Sequence, residues 1–247
     1  MTSPAPLAPR TRIKICGLTR EADVDAAVEA GADAIGFVLY PKSPRAVSVE
    51  RAAELASRLA PFITPVLLFV NADAPEVMAS LARVKGAIAQ FHGEETPEQC
   101  EEATGPGRFR YMRAARIPLG AAGAGFDLVK YASDYSRAQA ILLDAHVEGY
   151  GGGGKAFDWS LLPPAVDAHL VLSGGLTPAN VSDGIHSLRT RCKTLSVDVS
   201  SGVEIDGPGH KGLKDAGKIR AFVAAVRAAD AANTVKASAA DASSFSS

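Results

Sequence analysis

Eight short apolar runs, separated by longer segments of helical period, constrain this chain more than any single motif. The runs are Ile13–Cys16, Ala34–Leu39, Pro65–Val70, Ala87–Phe91, Phe109–Arg113, Ala140–Asp144, Leu170–Ser173 and Leu195–Val199. Most are nearly continuous in apolar character rather than alternating with polar residues, which predicts parallel strands buried on both faces. A strand and then a helix, repeated every thirty residues or so, predicts an α/β fold closed as a (β/α)₈ TIM barrel in one domain. An open doubly wound sheet is the rival. It would carry G-x-G-x-x-G after the first strand, whereas the glycine-rich phosphate signals here follow the seventh and eighth runs.

The first helical segment has Thr19 as a candidate N-cap, Glu21 and Asp23 in the first turn, and Gly31 as a stop. Similar helices are predicted at Val49–Leu59, Pro75–Lys85 and Thr177–Leu188, the last with Pro178 at its first position. The fifth strand is delimited by Gly105-Pro106-Gly107, and Pro118 to Gly125 reads as a small-residue loop.

The chain has 247 residues, a length that (β/α)₈ barrels reach as one domain. Residues 1–10 read as a disordered leader, 11–229 as the barrel and 230–247 as a flexible Ala/Ser-rich tail. An apolar fraction of 47% with a net charge of -1 lacks the basic excess that nucleic-acid binding needs, so no nucleic-acid partner is expected. The longest apolar runs, such as Val66 to Val70, fall far short of the roughly 20 residues that span a bilayer, so no membrane partner is expected either. Three widely spaced cysteines, Cys16, Cys100 and Cys192, suit a reducing compartment better than a disulfide framework or a zinc site. A cytoplasmic location is expected, as a monomer or homodimer.

Two residues at strand ends suggest proton transfer. Cys16 closes the first run just before Gly17 and a helix start, where a thiol can act as a base; its bland reading is a small buried residue. Asp144 closes Ile141-Leu142-Leu143, and its bland reading is a loop cap. A thiol and a carboxylate at the mouth of one barrel can act on either side of a small substrate. Ser173-Gly174-Gly175 and Ser200-Ser201-Gly202 follow adjacent strands, where barrels commonly present backbone amides to a phosphate. A small phosphorylated substrate is therefore expected.

Arg45 is a candidate anchor for a second anionic group. Gln90 and His92 flank Phe91, so strand alternation gives both the same facing; His92 also reads as a structural histidine. Asp198 reads as a residue that orients ligand groups or loops. Gly149 to Lys155 resembles a P-loop only superficially, because Ala156 replaces the required Ser or Thr, and it reads as a lid or anion contact.

Taken in order, several of these segments resemble the phosphoribosylanthranilate isomerase family of tryptophan biosynthesis. The resemblance is carried by Lys14-Ile15-Cys16-Gly17, Gly36-Phe37-Val38, Ser43-Pro44-Arg45, Phe69-Val70-Asn71 and Gln90-Phe91-His92-Gly93. It continues through Leu143-Asp144, Gly154 to Trp159, Ser173 to Leu176, and Val197 to Glu204. The resemblance implies a cofactor-free, metal-free Amadori rearrangement of N-(5-phosphoribosyl)anthranilate with Cys16 as general base and Asp144 as general acid. Arg45 would hold the anthranilate carboxylate, and Gly174, Gly175, Ser200 and Ser201 would surround the phosphate. The family usually has Thr at the place of Gly153 and an aliphatic at that of Phe91, and the Gly207–Asp215 stretch is longer here. Two rivals stay open at this point. One is the sugar-phosphate isomerase of histidine biosynthesis, which resembles a two-aspartate arrangement; the other is a phosphate-binding barrel without catalysis.

Overall fold

The computed structural model describes residues 10–118, 125–146 and 165–244, with side chains throughout except at 145–146 and 234–244. Met1 to Pro9, most of the small-residue loop after Pro118, and the whole Gly149–Lys155 segment lie outside the described residues.

Eight parallel strands close into a barrel in sequence order. They are β1 (Arg12–Cys16), β2 (Ala34–Val38), β3 (Thr64–Phe69), β4 (Ile88–Phe91), β5 (Tyr111–Pro118), β6 (Ile141–His146), β7 (Val166–Leu172) and β8 (Cys192–Val199). Around them run α1 (Glu21–Ala30), α2 (Val49–Ala56), α3 (Ala74–Arg83), α4 (Pro97–Thr104), α5 (Leu128–Asp134), α6 (Val181–Leu188) and α7 (Ala216–Ser244).

Alternation along each strand sorts the side chains into two cores. Ile13, Ile15, Ile35, Phe37, Leu67, Phe69, Ile141, Leu143 and Val197 point outward and pack against the helices. Val66, Met112, Ala114, Leu142 and Val171 point inward and form a smaller apolar floor inside the barrel. Because side chains on one face recur every second residue, the inward positions after this floor project at the C-terminal mouth. Register decides which of them meet: Lys14 stands beside Asp198, and Cys16 beside Gly36.

Helix ends depart from the sequence expectation where local polar groups compete. Arg20, not Thr19, occupies the N-cap of α1; its guanidinium grips Asp23 in the first turn, at 2.6 and 3.1 Å. Gly31 ends the helix with φ 91°, a left-handed conformation that glycine adopts without steric cost. α6 starts at Val181, three residues past the Pro178 expected at its first position, because the Asn180 side chain accepts from the Thr177 amide and donates to the Gly175 carbonyl. That exchange holds Thr177 to Asn180 as a turn. Strand β5 extends to Pro118, well past the expected Arg113, because its ladder with β6 continues to the Pro118 and His146 pair. Arg113 and Arg116 hid that strand in an apolarity count.

Helix α7 continues through the Ala-rich stretch 230–244. Alanine has the highest intrinsic helix propensity, so a segment with too few apolar groups for a core still extends an existing helix. Asp230 also ties this helix to the barrel: it accepts from the Thr11 amide and hydroxyl, at 3.0 and 2.6 Å, and pairs with Arg189.

Candidate active site

Ends of β1, β2, β3, β4, β6, β7 and β8 wall one cavity at the barrel mouth. Cys16 enters it from β1 and Asp144 from β6. On the shorter arc of the ring between those two strands lie β7 and β8. Gly174 and Gly175 line the cavity from the loop after β7, and Ser200 and Ser201 from the loop after β8. Both glycines have positive φ, 76° and 67°, which turns successive backbone amides in a way that side-chain-bearing residues resist.

Asp144 belongs to a chain of side-chain contacts. Gln90 Nε2 lies 3.1 Å from His92 Nδ1, and His92 Nε2 lies 3.0 Å from Asp144 Oδ2. Donation from the Gln90 amide to Nδ1 leaves the imidazole proton on Nε2, aimed at the carboxylate. The opposite end of the Gln90 amide, Oε1, is buried and has no partner among the described residues.

His92 is held from behind by groups that the sequence reading passed over. Arg113 donates to the carbonyls of Phe91 and Gly93, at 3.0 and 2.9 Å, and to Glu95 at 3.2 Å. Glu95 in turn accepts from the amides of Asn71 and Gly93. The loop leaving β4 is thereby pinned at both sides of His92.

Arg45 lines the cavity, but its fork is partly committed. Nε and Nη2 donate to the two oxygens of Glu204 at 2.6 and 3.0 Å, a bidentate pair with both side chains buried. Lys214 joins them, donating to Glu204 at 3.1 Å and to the Ser200 carbonyl at 3.0 Å. Burial pushes the Glu204 carboxyl upward, but Arg45 and then Lys214 outweigh it and hold the group below the usual range. Among the described residues, the Nη1 side of the Arg45 guanidinium has no acceptor and faces away from Glu204. Glu204 and Lys214 lie on the strand-like return that follows β8, where an isolated bridge pairs them. Their sequence signal was only a pair of charges in a glycine-rich stretch.

Asp198 reaches the cavity from β8. Its Oδ1 is 2.8 Å from Lys14 Nζ, and its Oδ2 accepts from the Ser173 hydroxyl at 3.1 Å. Lys14 was missed as a site residue, although a lysine two places before Cys16 in an apolar strand must share the inner face with it.

All ten residues named from the sequence therefore meet around one cavity: Cys16, Arg45, Gln90, His92, Asp144, Gly174, Gly175, Asp198, Ser200 and Ser201.

Comparison with known proteins places this arrangement. The sequence model of the family described as N-(5'-phosphoribosyl)anthranilate (PRA) isomerase matches residues 13–225. This chain belongs to the PRA isomerase family.

Among its relatives, the N-(5'-phosphoribosyl)anthranilate isomerase of Methylibium petroleiphilum is 60% identical over 222 residues, covering 90% of this chain and 96% of the relative. That of Leptothrix cholodnii is 58% identical, covering 90% and 93%. The crystal structure of the PRA isomerase from Thermotoga maritima has a TM-score of 0.75 at 37% identity, covering 88% of this chain and 99% of that one. A further PRA isomerase structure, in complex with reduced 1-(O-carboxyphenylamino)-1-deoxyribulose 5-phosphate, has a TM-score of 0.69 at 33% identity, covering 88% and 99%. The chain is thus a PRA isomerase of tryptophan biosynthesis on a closed eight-stranded barrel. Among the described residues, no helix is long and apolar enough to cross a membrane.

Proposed function

We propose that this chain performs the Amadori rearrangement of N-(5-phosphoribosyl)anthranilate with Asp144 as general acid and Cys16 as general base. Asp144 protonates the furanose ring oxygen, the ring opens to a Schiff base, and Cys16 removes the proton from ribose C2. The enolamine then tautomerises to 1-(2-carboxyphenylamino)-1-deoxyribulose 5-phosphate. The observation that carries this reading is that thiol and carboxyl enter one cavity from β1 and β6, with the two glycine- and serine-bearing loops between them. His92 engages only Oδ2 of Asp144, which leaves Oδ1 to deliver the proton. Gln90 Oε1 is the acceptor for a substrate hydroxyl, since burial of an acceptor without a donor costs about 1–3 kcal/mol.

Support for the ligand comes from the related structure holding a reduced carboxyphenylamino-deoxyribulose phosphate. Its phosphate end is assigned here to the amides of Gly174 and Gly175 and to Ser200 and Ser201. Its carboxylate is assigned to Arg45, with Asp198 behind the sugar. Free Cys16, Cys100 and Cys192 are consistent with a cytoplasmic setting. The assignment uses residues of one chain and suits a monomer or a homodimer alike.

Single-turnover assays with phosphoribosylanthranilate test the whole reading; tight binding without turnover would replace it with a binding protein. Two narrower results are expected. Arg45→Ala should raise KM for the carboxylated substrate by about 10- to 100-fold, the loss of a hydrogen bond to a charged group. An equal loss with an analogue lacking the carboxylate would remove Arg45 from that role. Gly202→Ala should destabilise the protein by about 1–3 kcal/mol. A Cβ there would lie 1.9 Å from the Leu176 carbonyl oxygen, forcing apart the loops after β7 and β8. Thermal denaturation and phosphate inhibition would read both effects, and unchanged affinity for inorganic phosphate would separate the loops from that ligand.

A further inference from the structure

We propose that Lys14 favours the thiolate form of Cys16, its ammonium held by Asp198 on the face of β1 that also carries the sulfur, so that Lys14 is a positioning residue for proton abstraction. The inference rests on the assignment of Cys16 as the base and adds the group that makes the sulfur one.

Three observations carry it. Lys14 and Cys16 are two residues apart on β1 and face the same way, and the Lys14 side chain is 4% exposed. Nζ is fixed at 2.8 Å from Asp198 Oδ1, and that carboxylate is itself oriented by the Ser173 hydroxyl. The glycine at position 36, paired with Cys16 in the ladder, is the place where sulfur and nitrogen converge. A Cβ built there would lie 2.7 Å from Sγ and 2.9 Å from Nζ, so the two atoms crowd the same face of one residue. An ammonium has three donors; Asp198 takes one, and others remain for the sulfur.

The charge state agrees with this geometry. Burial lowers the Lys14 pKa, but Asp198 and then Cys16 outweigh it and push the pKa above the ordinary lysine value. Two other cations near Cys16, Arg45 and Lys214, make their hydrogen bonds to other groups. Arg45 lays its methylene stem over Gly17 and turns its guanidinium to Glu204. Lys214, from the segment after β8, is tied to Glu204 and Ser200; burial lowers its pKa, and Glu204 and then Cys16 oppose that shift without reversing it. A buried ion pair is weak evidence for stability, since apolar residues of similar size often serve as well. A role in the fold alone therefore leaves the Lys14 and Asp198 pair unexplained.

The test is the pH dependence of iodoacetamide alkylation at Cys16, followed by mass spectrometry of its own peptide in the full-length protein. Wild type, Lys14→Met, Asp198→Asn and the double variant Lys14→Met/Asp198→Asn are compared. The limiting rate at high pH reports access to the sulfur, and the midpoint reports its protonation. Lys14→Met should slow alkylation at neutral pH at least tenfold by moving the midpoint upward. Asp198→Asn, which leaves the ammonium to the sulfur alone, should move it downward. If Lys14→Met does not fold, the double variant carries no unpaired buried charge and should titrate at least tenfold less favourably than Asp198→Asn. Midpoints that agree within twofold across the folded variants overturn the proposal. The base assignment is judged separately by turnover of Cys16→Ser: full activity there with a Lys14-dependent midpoint would remove the base and keep the coupling.

Discussion

Cys16→Ser is expected to lower kcat by about 10²–10⁴-fold, the range that a positioned acid or base contributes, while the barrel remains folded. The exchange is nearly isosteric, and the Lys14 ammonium on the same face of β1 gives a hydroxyl a polar neighbour. Stability is therefore not at issue. What is lost is the accessible anion, because a thiol ionises near pH 8.5 in a peptide and an alcohol does not ionise in the range where enzymes work. KM should change little, since the phosphate and carboxylate contacts are assigned to other strands. Steady-state rates near those of wild type, in a variant with an unchanged melting temperature, would show that the proton at C2 goes elsewhere.

Asp144→Asn should produce a loss of similar size by a different route. Asparagine still offers an oxygen to His92 Nε2, so the contact at 3.0 Å and the Gln90 and His92 pair behind it are kept. The amide cannot hand a proton to the ring oxygen. Ring opening should then limit the rate, kcat should fall by about 10²–10⁴-fold and affinity should survive. Supplying a substrate already opened at the ring would restore much of the rate if Asp144 acts only at the first step. A loss smaller than tenfold would require another acid, and His92 is the neighbour best placed to be it.

The order of strands and helices along the chain is legible in its residues. Continuous apolar runs such as Val66 to Val70 gave up both faces to packing, and their regular spacing required parallel crossovers, so a closed barrel was the economical solution. Strand-end chemistry followed from the same rule, which is why Cys16, Asp144 and the loops after β7 and β8 stood out. Boundaries were less legible. Thr177 carries the right chemistry for a cap, yet Asn180 wins the local competition, and β5 continues under two arginines because β6 supplies its partners.

Cysteine at a strand end, carboxylate at another, and glycine pairs after two more are properties of the sequence, determined by residue type and period alone. Which of these groups touch was decided only when the barrel closed. Closure brings β8 beside β1 across 184 residues, and so sets Lys14 against Asp198, a pairing that no local pattern encodes. It also gives Arg45 to Glu204 across 159 residues, turning half of an apparent ligand anchor into part of the wall. Period tells a side chain which way to face; register, fixed by the joint packing of all eight strands, tells it what it will find there.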